Sequence, residues 1–570
     1  MLKRSSGPLI VQADGTVLLD ESHPAAEEAR EALGRFAELA KRPGTLHHYR
    51  IGPLTVWNAA SQGMTAEEML EALRRHARYP VPAGLSEQIR QWVERCGGLE
   101  LRLGRSGGLL LAGEPRRLEE LPKPLLESLG ARPSEGGWEL PADRRGELKR
   151  ELTRLGLPVK DRAGYKEGES LDIRLRGELA GGRAFELRDY QAEAVDRFCR
   201  EDAAGGSGVV VLPCGAGKTV VGAAALARLG RATLVLTSGS TSVRQWKREL
   251  LEKTTLRESD IGEYTGDMKQ IRPVTVASYQ IVAHGKGSSA NRTDGGHFDL
   301  FGSRDWGLII YDEVHLLPAP VFRLTAELQA TRRLGLTATL VREDGRAEDV
   351  FSLIGPKLYE LPWRTLERQG WIAGVRCREL RVPLCGSITD QYASADPKTK
   401  LRLASSNPAK LEAVSRVLGE HPDRPALIIG QHLDQLRALG EALEAPVLCG
   451  STPGPDREEL FRRFNAGELR RLVVSRVANF AVDLPDASLA VQVSGMFGSR
   501  QEEAQRIGRL LRPKADGTAS LFYTVVSAGT RETEFALKRQ LFMVEQGYAY
   551  ETLEPDFPEK GKGKGKGAGA

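Results

Sequence analysis

Short runs of Val, Ile and Leu alternate with longer stretches whose apolar residues recur every three or four positions, and this rhythm governs the chain from Leu187 onward. Val209–Leu212, Thr233–Leu236, Val274–Ala277 and Leu308–Tyr311 are apolar on both faces, as strands of a buried parallel sheet are. The rhythm lapses and then resumes with Ala426–Ile429, Leu472–Ser475, Leu489–Val493 and Ser520–Val525. Two tandem α/β domains follow, each a parallel sheet covered by helices, over residues 183–356 and 401–550.

Before Leu187 the pattern differs. Pro8–Gln12 reads as a strand and Asp14-Gly15 as a turn; Ala29, Ala32, Leu33, Phe36 and Leu39 then predict a helix that Pro43-Gly44 stops. Thr65 can cap a second helix while Glu68 reaches back, with Met69, Leu70 and Leu73 as the buried stripe, and a third helix is predicted over Ser86–Cys96. These elements predict a helical accessory domain over residues 1–110 without a catalytic constellation; His47, His48 and Tyr49 suit packing or surface positions there. Residues 111–180 are dense in Pro, Gly and charge, and a helix over Asp143–Leu155 with alternation over Ser170–Arg176 predicts a small mixed domain. Residues 551–570 contain the repeat Lys560–Gly567, which cannot bury a core and is predicted to be disordered.

Bulk properties narrow the classes. A chain of 570 residues is too long for one core. Hydrophobic residues at 41% and charged residues at 28% suit a soluble protein, and no run approaches the ~20 apolar residues of a membrane span. Met1–Pro8 is basic but no apolar run follows it, so a cytoplasmic protein is expected, with no membrane partner. The six cysteines Cys96, Cys199, Cys214, Cys377, Cys385 and Cys449 lack the two-residue spacing of a zinc or redox motif and read as reduced thiols. The net charge of +5 decides nothing, because a basic patch can hide inside a near-neutral total.

Candidate chemistry is concentrated in the first α/β domain. Leu212-Pro213-Cys214-Gly215-Ala216-Gly217-Lys218-Thr219 lies between an apolar strand and the helical run Val220–Leu229. Gly215, Ala216 and Gly217 let backbone N–H groups approach phosphates, Lys218 can neutralise the outer oxygens, and the Thr219 hydroxyl can coordinate Mg2+. Leu212 stands where the stricter pattern has Gly. About 95 residues further on, Leu308–Tyr311 runs into Asp312-Glu313-Val314-His315. Asp312 at the strand end can hold Mg2+ through water, Glu313 can orient and deprotonate an attacking water, and His315 can couple the nucleotide to neighbouring loops. Either motif alone has an ordinary structural explanation, a Gly-rich turn or a solvated strand end; in one α/β unit they make an ATP site. Gln505, Arg509 and Arg512 recur at four and three residues and share a helix face that can point into a cleft.

With Leu336-Thr337-Ala338-Thr339, these motifs resemble the superfamily 2 helicase core over residues 183–530. Arg342-Glu343-Asp344 directly after Thr339, Phe497–Arg506, Pro213–Thr219 and Asp483–Ala487 together resemble the XPB family of repair and transcription helicases, as do His47–Arg50 and Leu54–Ala60. The resemblance implies RecA-like motor domains, a damage-recognition-like domain at 111–180, and a thumb-like, DNA-gripping insertion at 357–400 that would include Arg364, Arg368, Lys398 and Lys400. It implies arginine fingers at Arg509 and Arg512, adenine recognition by Gln191 with Arg188 on base or phosphate, and coupling of nucleotide state to DNA grip through Thr337 and Thr339. It also implies duplex opening by Arg342, Glu343 and Asp344, and strand contacts from Thr237, Arg244, Gln245, Ser278, Tyr279 and Ser475, whose hydroxyls, amides and cation can hold phosphates without reading bases. The activity implied is ATP-driven DNA unwinding from 3' to 5' in nucleotide excision repair and transcription, with a nuclease partner as in archaeal relatives. A duplex translocase uses the same motifs, as does the motor of a restriction enzyme, although the flanking domains show no nuclease carboxylate cluster. A DNA-binding scaffold with a vestigial site would not need Lys218, Asp312, Glu313, Gln505, Arg509 and Arg512 together.

Overall fold

The computed structural model describes residues 7–42, 44–104, 107–200, 206–283, 300, 303–316, 331–340, 347–475, 487–495, 503, 507–508, 510 and 517–554. The chain divides into two compact units, residues 1–371 with 545–547, and residues 372–544 with 548–570.

In the first unit the N-terminal segment is not helical throughout, contrary to its periodicity. Leu9–Val11, Thr16–Asp20, Leu46–Arg50 and Glu38–Lys41 form, in that order, an antiparallel sheet against which the helices Ala26–Leu33 and Ala66–His76 pack. The expected first helix ends at Gly34, and Phe36 and Leu39, both buried, belong to the turn and strand after it; their three-residue spacing imitates a helical stripe. The Thr65 cap is as expected: Thr65 Oγ1 accepts from Glu68 N at 3.2 Å, and Glu68 Oε2 accepts from Thr65 N at 2.7 Å.

A five-stranded sheet follows, ordered Arg132–Ser134, Gly137–Leu140, Leu109–Gly113, Leu99–Leu103 and Val159–Asp161. Its core joins Leu99, Leu101, Leu109 and Leu111 to Leu126, Leu148 and Leu152 of the adjoining helices, so this module begins at Leu99 rather than beyond residue 110. The helix expected over Asp143–Leu155 spans Arg145–Arg154 after a 3-10 turn. Ser170–Arg176 forms isolated bridges to Arg231 and Thr254 instead of a strand.

The first unit's α/β sheet has seven parallel strands in the order Ile261–Tyr264, Val274–Ser278, Thr233–Thr237, Leu308–Asp312, Arg332–Thr337, Ser207–Val211 and Lys357–Glu360. Strands buried on both faces are mostly apolar, and Thr233–Thr237 and Val274–Ser278 are buried at every position, their Thr and Ser residues included. The second unit repeats the design in the order Val447–Leu448, Arg471–Val474, Ala426–Ile429, Leu489–Gln492, Ser520–Ser527, Val375–Val382 and Tyr550–Leu553.

The stretch 357–400 is therefore not a separate thumb. Lys357–Glu360 is an edge strand of the first sheet and Val375–Val382 an inner strand of the second, leaving the helices Gly386–Ser394 and Pro397–Ser405. Arg364 donates to Gly547 O at 3.1 Å and Arg368 pairs with Glu27 at 2.7 Å, both inside the first unit. Charge conceals the inner strand in the sequence: its Glu379 is buried, paired with Arg381 at 2.8 Å and accepting from Gln540 at 2.5 Å.

Candidate functional site

Ser207–Val211 delivers the chain into the Gly-rich loop, and Leu212 N binds Thr337 O at 3.0 Å, so the loop starts beside the Thr337 strand end. Gly215 and Gly217 both have φ of +80°, the left-handed region that a side chain disfavours. A Cβ on Gly217 would lie 2.6 Å from Gln191 Nε2, whereas one on Gly215 would meet nothing within 4 Å. Glycine is needed at 217 for packing and at 215 for an open approach to the backbone. Lys218 and Thr219 begin the helix Lys218–Leu229, whose free N–H groups and dipole favour a phosphate.

Gln191 and Tyr190, at the start of the helix Asp189–Cys199, hold this loop from behind: Gln191 Nε2 donates to Ala216 O at 3.0 Å and the Tyr190 hydroxyl to the same oxygen at 2.9 Å. Arg188 donates to the Tyr190 hydroxyl at 2.9 Å.

Leu308–Asp312 is a central strand of the sheet, and it places the two acids beside the loop. Lys218 Nζ lies 3.2 Å from Glu313 Oε1. Burial alone would lower the Lys218 pKa, but Glu313, Cys214 and Asp312 raise it, so the ammonium stays charged. Burial pushes Asp312 up, the Glu313 charge adds to this, and hydrogen bonds from Trp246 and Thr237 oppose it, leaving it at about 6. Glu313 goes the other way: burial would raise it, but Lys218 and His315 hold it below the ordinary carboxylate value. Two adjacent acids are thereby driven apart, one inclined to take a proton and the other kept ionised. Glu313 also has φ of +52°, strained for a residue with a side chain, as functional positions often are.

Around Asp312 the structure reassigns two residues expected to touch DNA. Thr237 is fully buried and donates to Asp312 Oδ2 at 3.2 Å; Tyr279 is buried and donates to Asp312 O at 2.9 Å. Ser278 and, in the second unit, Ser475 are also buried, with 5% and 6% exposure, so these four side chains are not open to a strand. Arg244 is exposed and Gln245 half-buried on the helix Ser240–Lys253. The same helix supplies Trp246, which sequence reasoning missed: its Nε1 donates to Asp312 Oδ2 at 2.8 Å. Trp246 falls at core spacing with Val243 and Leu250, and the clue is that a buried indole N–H needs an acceptor.

Beyond Glu313 the contacts continue. His315 Nδ1 lies 3.5 Å from Glu313 Oε2 and 2.8 Å from Thr337 Oγ1. Thr337 Oγ1 donates its single proton to Thr339 O at 2.6 Å and accepts from Thr339 N at 3.2 Å, so His315 Nδ1 is the donor toward Thr337. Glu313 and the Thr337–Thr339 segment thus share one buried histidine.

Gln505, Arg509 and Arg512, and Arg342, Glu343 and Asp344, lie outside the described residues. Near the former, Glu503 is buried in the second unit, accepting from the Tyr550 hydroxyl at 2.8 Å and 3.6 Å from Arg539 Nε.

A model described as the ERCC3/RAD25/XPB C-terminal helicase matches residues 366–561. The DNA 3'-5' helicase XPB of Mycobacterium tuberculosis is 51% identical over 551 residues, covering 96% of this chain and 97% of the relative. The chain belongs to the XPB family of superfamily 2 helicases. A second XPB, from Kineococcus radiotolerans, is 49% identical over 97% of each chain, and a Rad25 described as a putative DNA 3'-5' helicase from Haloarcula marismortui is 36% identical over 91% of this chain and 80% of its own. Two further models match this family member: type III restriction enzyme res subunit over residues 184–342, and helicase conserved C-terminal domain over residues 9–133, ahead of the motor domains. Among the described residues no helix is long and apolar enough to cross a membrane.

Proposed function

We propose that this chain is an ATP-dependent DNA helicase of 3'-to-5' polarity that opens duplex DNA in nucleotide excision repair and beside transcription, working with a partner nuclease. The supporting observation is the Lys218–Glu313 pair at 3.2 Å, joined through His315 to Thr337. Lys218 has one ammonium to share. When it turns to the outer phosphate oxygens, Glu313 loses its partner and becomes free to orient the attacking water and take its proton, so the base is released by the substrate it acts on.

Thr219 and Asp312 would hold Mg2+, and they fit: both are hard oxygen donors, and a half-buried carboxylate held at about 6 is relieved by a cation. Bound there, the ion neutralises phosphate charge and polarises the phosphoryl group. His315, hydrogen-bonded to Thr337, transmits the state of Glu313 to the Thr337–Thr339 segment, where nucleotide state is converted to grip on DNA. Arg509 and Arg512 complete the reading as arginine fingers.

The test is ATP hydrolysis by wild type and Glu313→Gln, with and without single-stranded DNA, followed by unwinding of a 3'-tailed duplex. DNA-stimulated hydrolysis that Glu313→Gln abolishes, with unwinding of the 3'-tailed substrate, is expected. Stimulated hydrolysis without strand separation would instead favour a duplex translocase, a reading in keeping with the helicase/translocase name of the Schizosaccharomyces pombe relative, 29% identical over 97% of this chain and 76% of its own.

A further inference from the structure

Gln191 is tied to the phosphate loop by its amide. Its side chain is 4% exposed, Oε1 accepts from Arg188 N at 3.1 Å, and Nε2 donates to Ala216 O at 3.0 Å. These two bonds fix the amide against the loop, although a Gln side chain has a second lone pair and a second N–H with which it can also meet a base edge.

Arg188 offers a different surface. Its Cζ lies 4.2 Å from the centroid of the Trp371 ring. Through its 2.9 Å bond to the Tyr190 hydroxyl, which itself reaches Ala216 O at 2.9 Å, the stack is tied to the phosphate loop by one tyrosine. Trp371 is 40% exposed, whereas Trp57, Trp246 and Trp363 are 1–2% exposed in the core. Its backbone N–H is bonded to Leu366 O at 2.9 Å, so the exposed ring sits on an ordered turn after the helix Trp363–Arg368. A guanidinium layered on an indole presents a flat π surface that a nucleobase can extend without edge contacts.

We propose that Trp371 and Arg188 are a nucleobase platform of the ATP site: the base is held by stacking on them, beside a Gln191 whose amide also holds the phosphate loop. This rests on the ATP-site reading above.

The full chain, with single-stranded DNA present, separates the two. Trp371→Ala should raise the KM for ATP by about tenfold, the range of one base-aromatic stack, while kcat changes by less than about twofold. Inhibition by ADP and by GDP should weaken by that same factor, because both purines have a π face, and inhibition by tripolyphosphate, which has no base, should be unchanged. Trp371→Phe should restore most of the affinity. An unaltered KM in Trp371→Ala overturns the platform, as does equal weakening of tripolyphosphate and ADP, which would mean general damage to the loop. Either result leaves the motor reading standing; a wild-type protein that hydrolyses no nucleoside triphosphate overturns both.

Discussion

Asp312, at the strand end beside the phosphate loop, carries a cost in stability, and Asp312→Asn should reveal it. The half-buried carboxylate, beside ionised Glu313, has a pKa of about 6 against an ordinary 3.8, a gap worth about 3 kcal/mol. Because Asp312 is not fully enclosed, water screens part of this, and about 1–2 kcal/mol is the expected effect. Between pH 3.8 and 6 the folded chain binds this proton more tightly than the unfolded one, so the contribution is fully present below 3.8 and lost as pH rises through 6. Asparagine keeps an acceptor for Trp246 and Thr237 without the charge. In metal-free buffer at pH 7.5 the variant should melt about 1–4 °C above wild type, and the difference should close as pH falls through about 6, where wild type takes up the proton. Adding Mg2+ and ATP should reverse the order, because only wild type gains ligand stabilisation. Thermal unfolding followed by fluorescence across pH measures all three. A variant less stable than wild type in metal-free buffer at pH 7.5, or a difference independent of pH, would refute the reasoning.

Three further outcomes follow from named contacts. Glu313→Gln should lower DNA-stimulated ATP hydrolysis by about 10²–10⁴, the range of a lost general base, with nucleotide binding retained in a direct binding assay. Thr337→Val removes an oxygen that serves His315 and both backbone groups of Thr339; basal hydrolysis should persist while stimulation by single-stranded DNA is lost, and Thr337→Ser should restore it. In the second unit, Lys410 Nζ is buried between Glu532 at 2.7 Å and Val493 O at 2.7 Å. Glu532→Ala leaves that cation uncompensated and should cost about 3–5 kcal/mol, seen as a lower denaturant midpoint for the second unit.

Much of the motor was legible because its rules are local. Ala426–Ile429 is a strand at the predicted bounds, and the other apolar runs match observed strands within two residues at either end. A strand buried on both faces is usually apolar at most positions, so its sequence announces it. The loop from Gly215 to Thr219 and the acids Asp312 and Glu313 were equally visible, since phosphate chemistry requires those residue types next to a strand end. The N-terminal sheet was not. Its strands are three to five residues long and carry His47, His48 and charged positions, too short for alternation to outweigh the helix-like spacing of Phe36 and Leu39. Val375–Val382 was hidden because arginines flank a glutamate that the fold buries and pairs.

By itself, then, the sequence determined the two parallel sheets and the residue types of the nucleotide site, because both are written in adjacent positions. Tertiary structure decided the partners. It gave Asp312 the indole of Trp246 and the hydroxyl of Thr237, moved Tyr279 and Thr237 from the expected DNA face to the support of that acid, and committed the Gln191 amide to Ala216 O. It also set Arg188 against Trp371. A buried polar group must be satisfied, but which distant residue satisfies it depends on how strands and helices pack, and no local pattern encodes that choice.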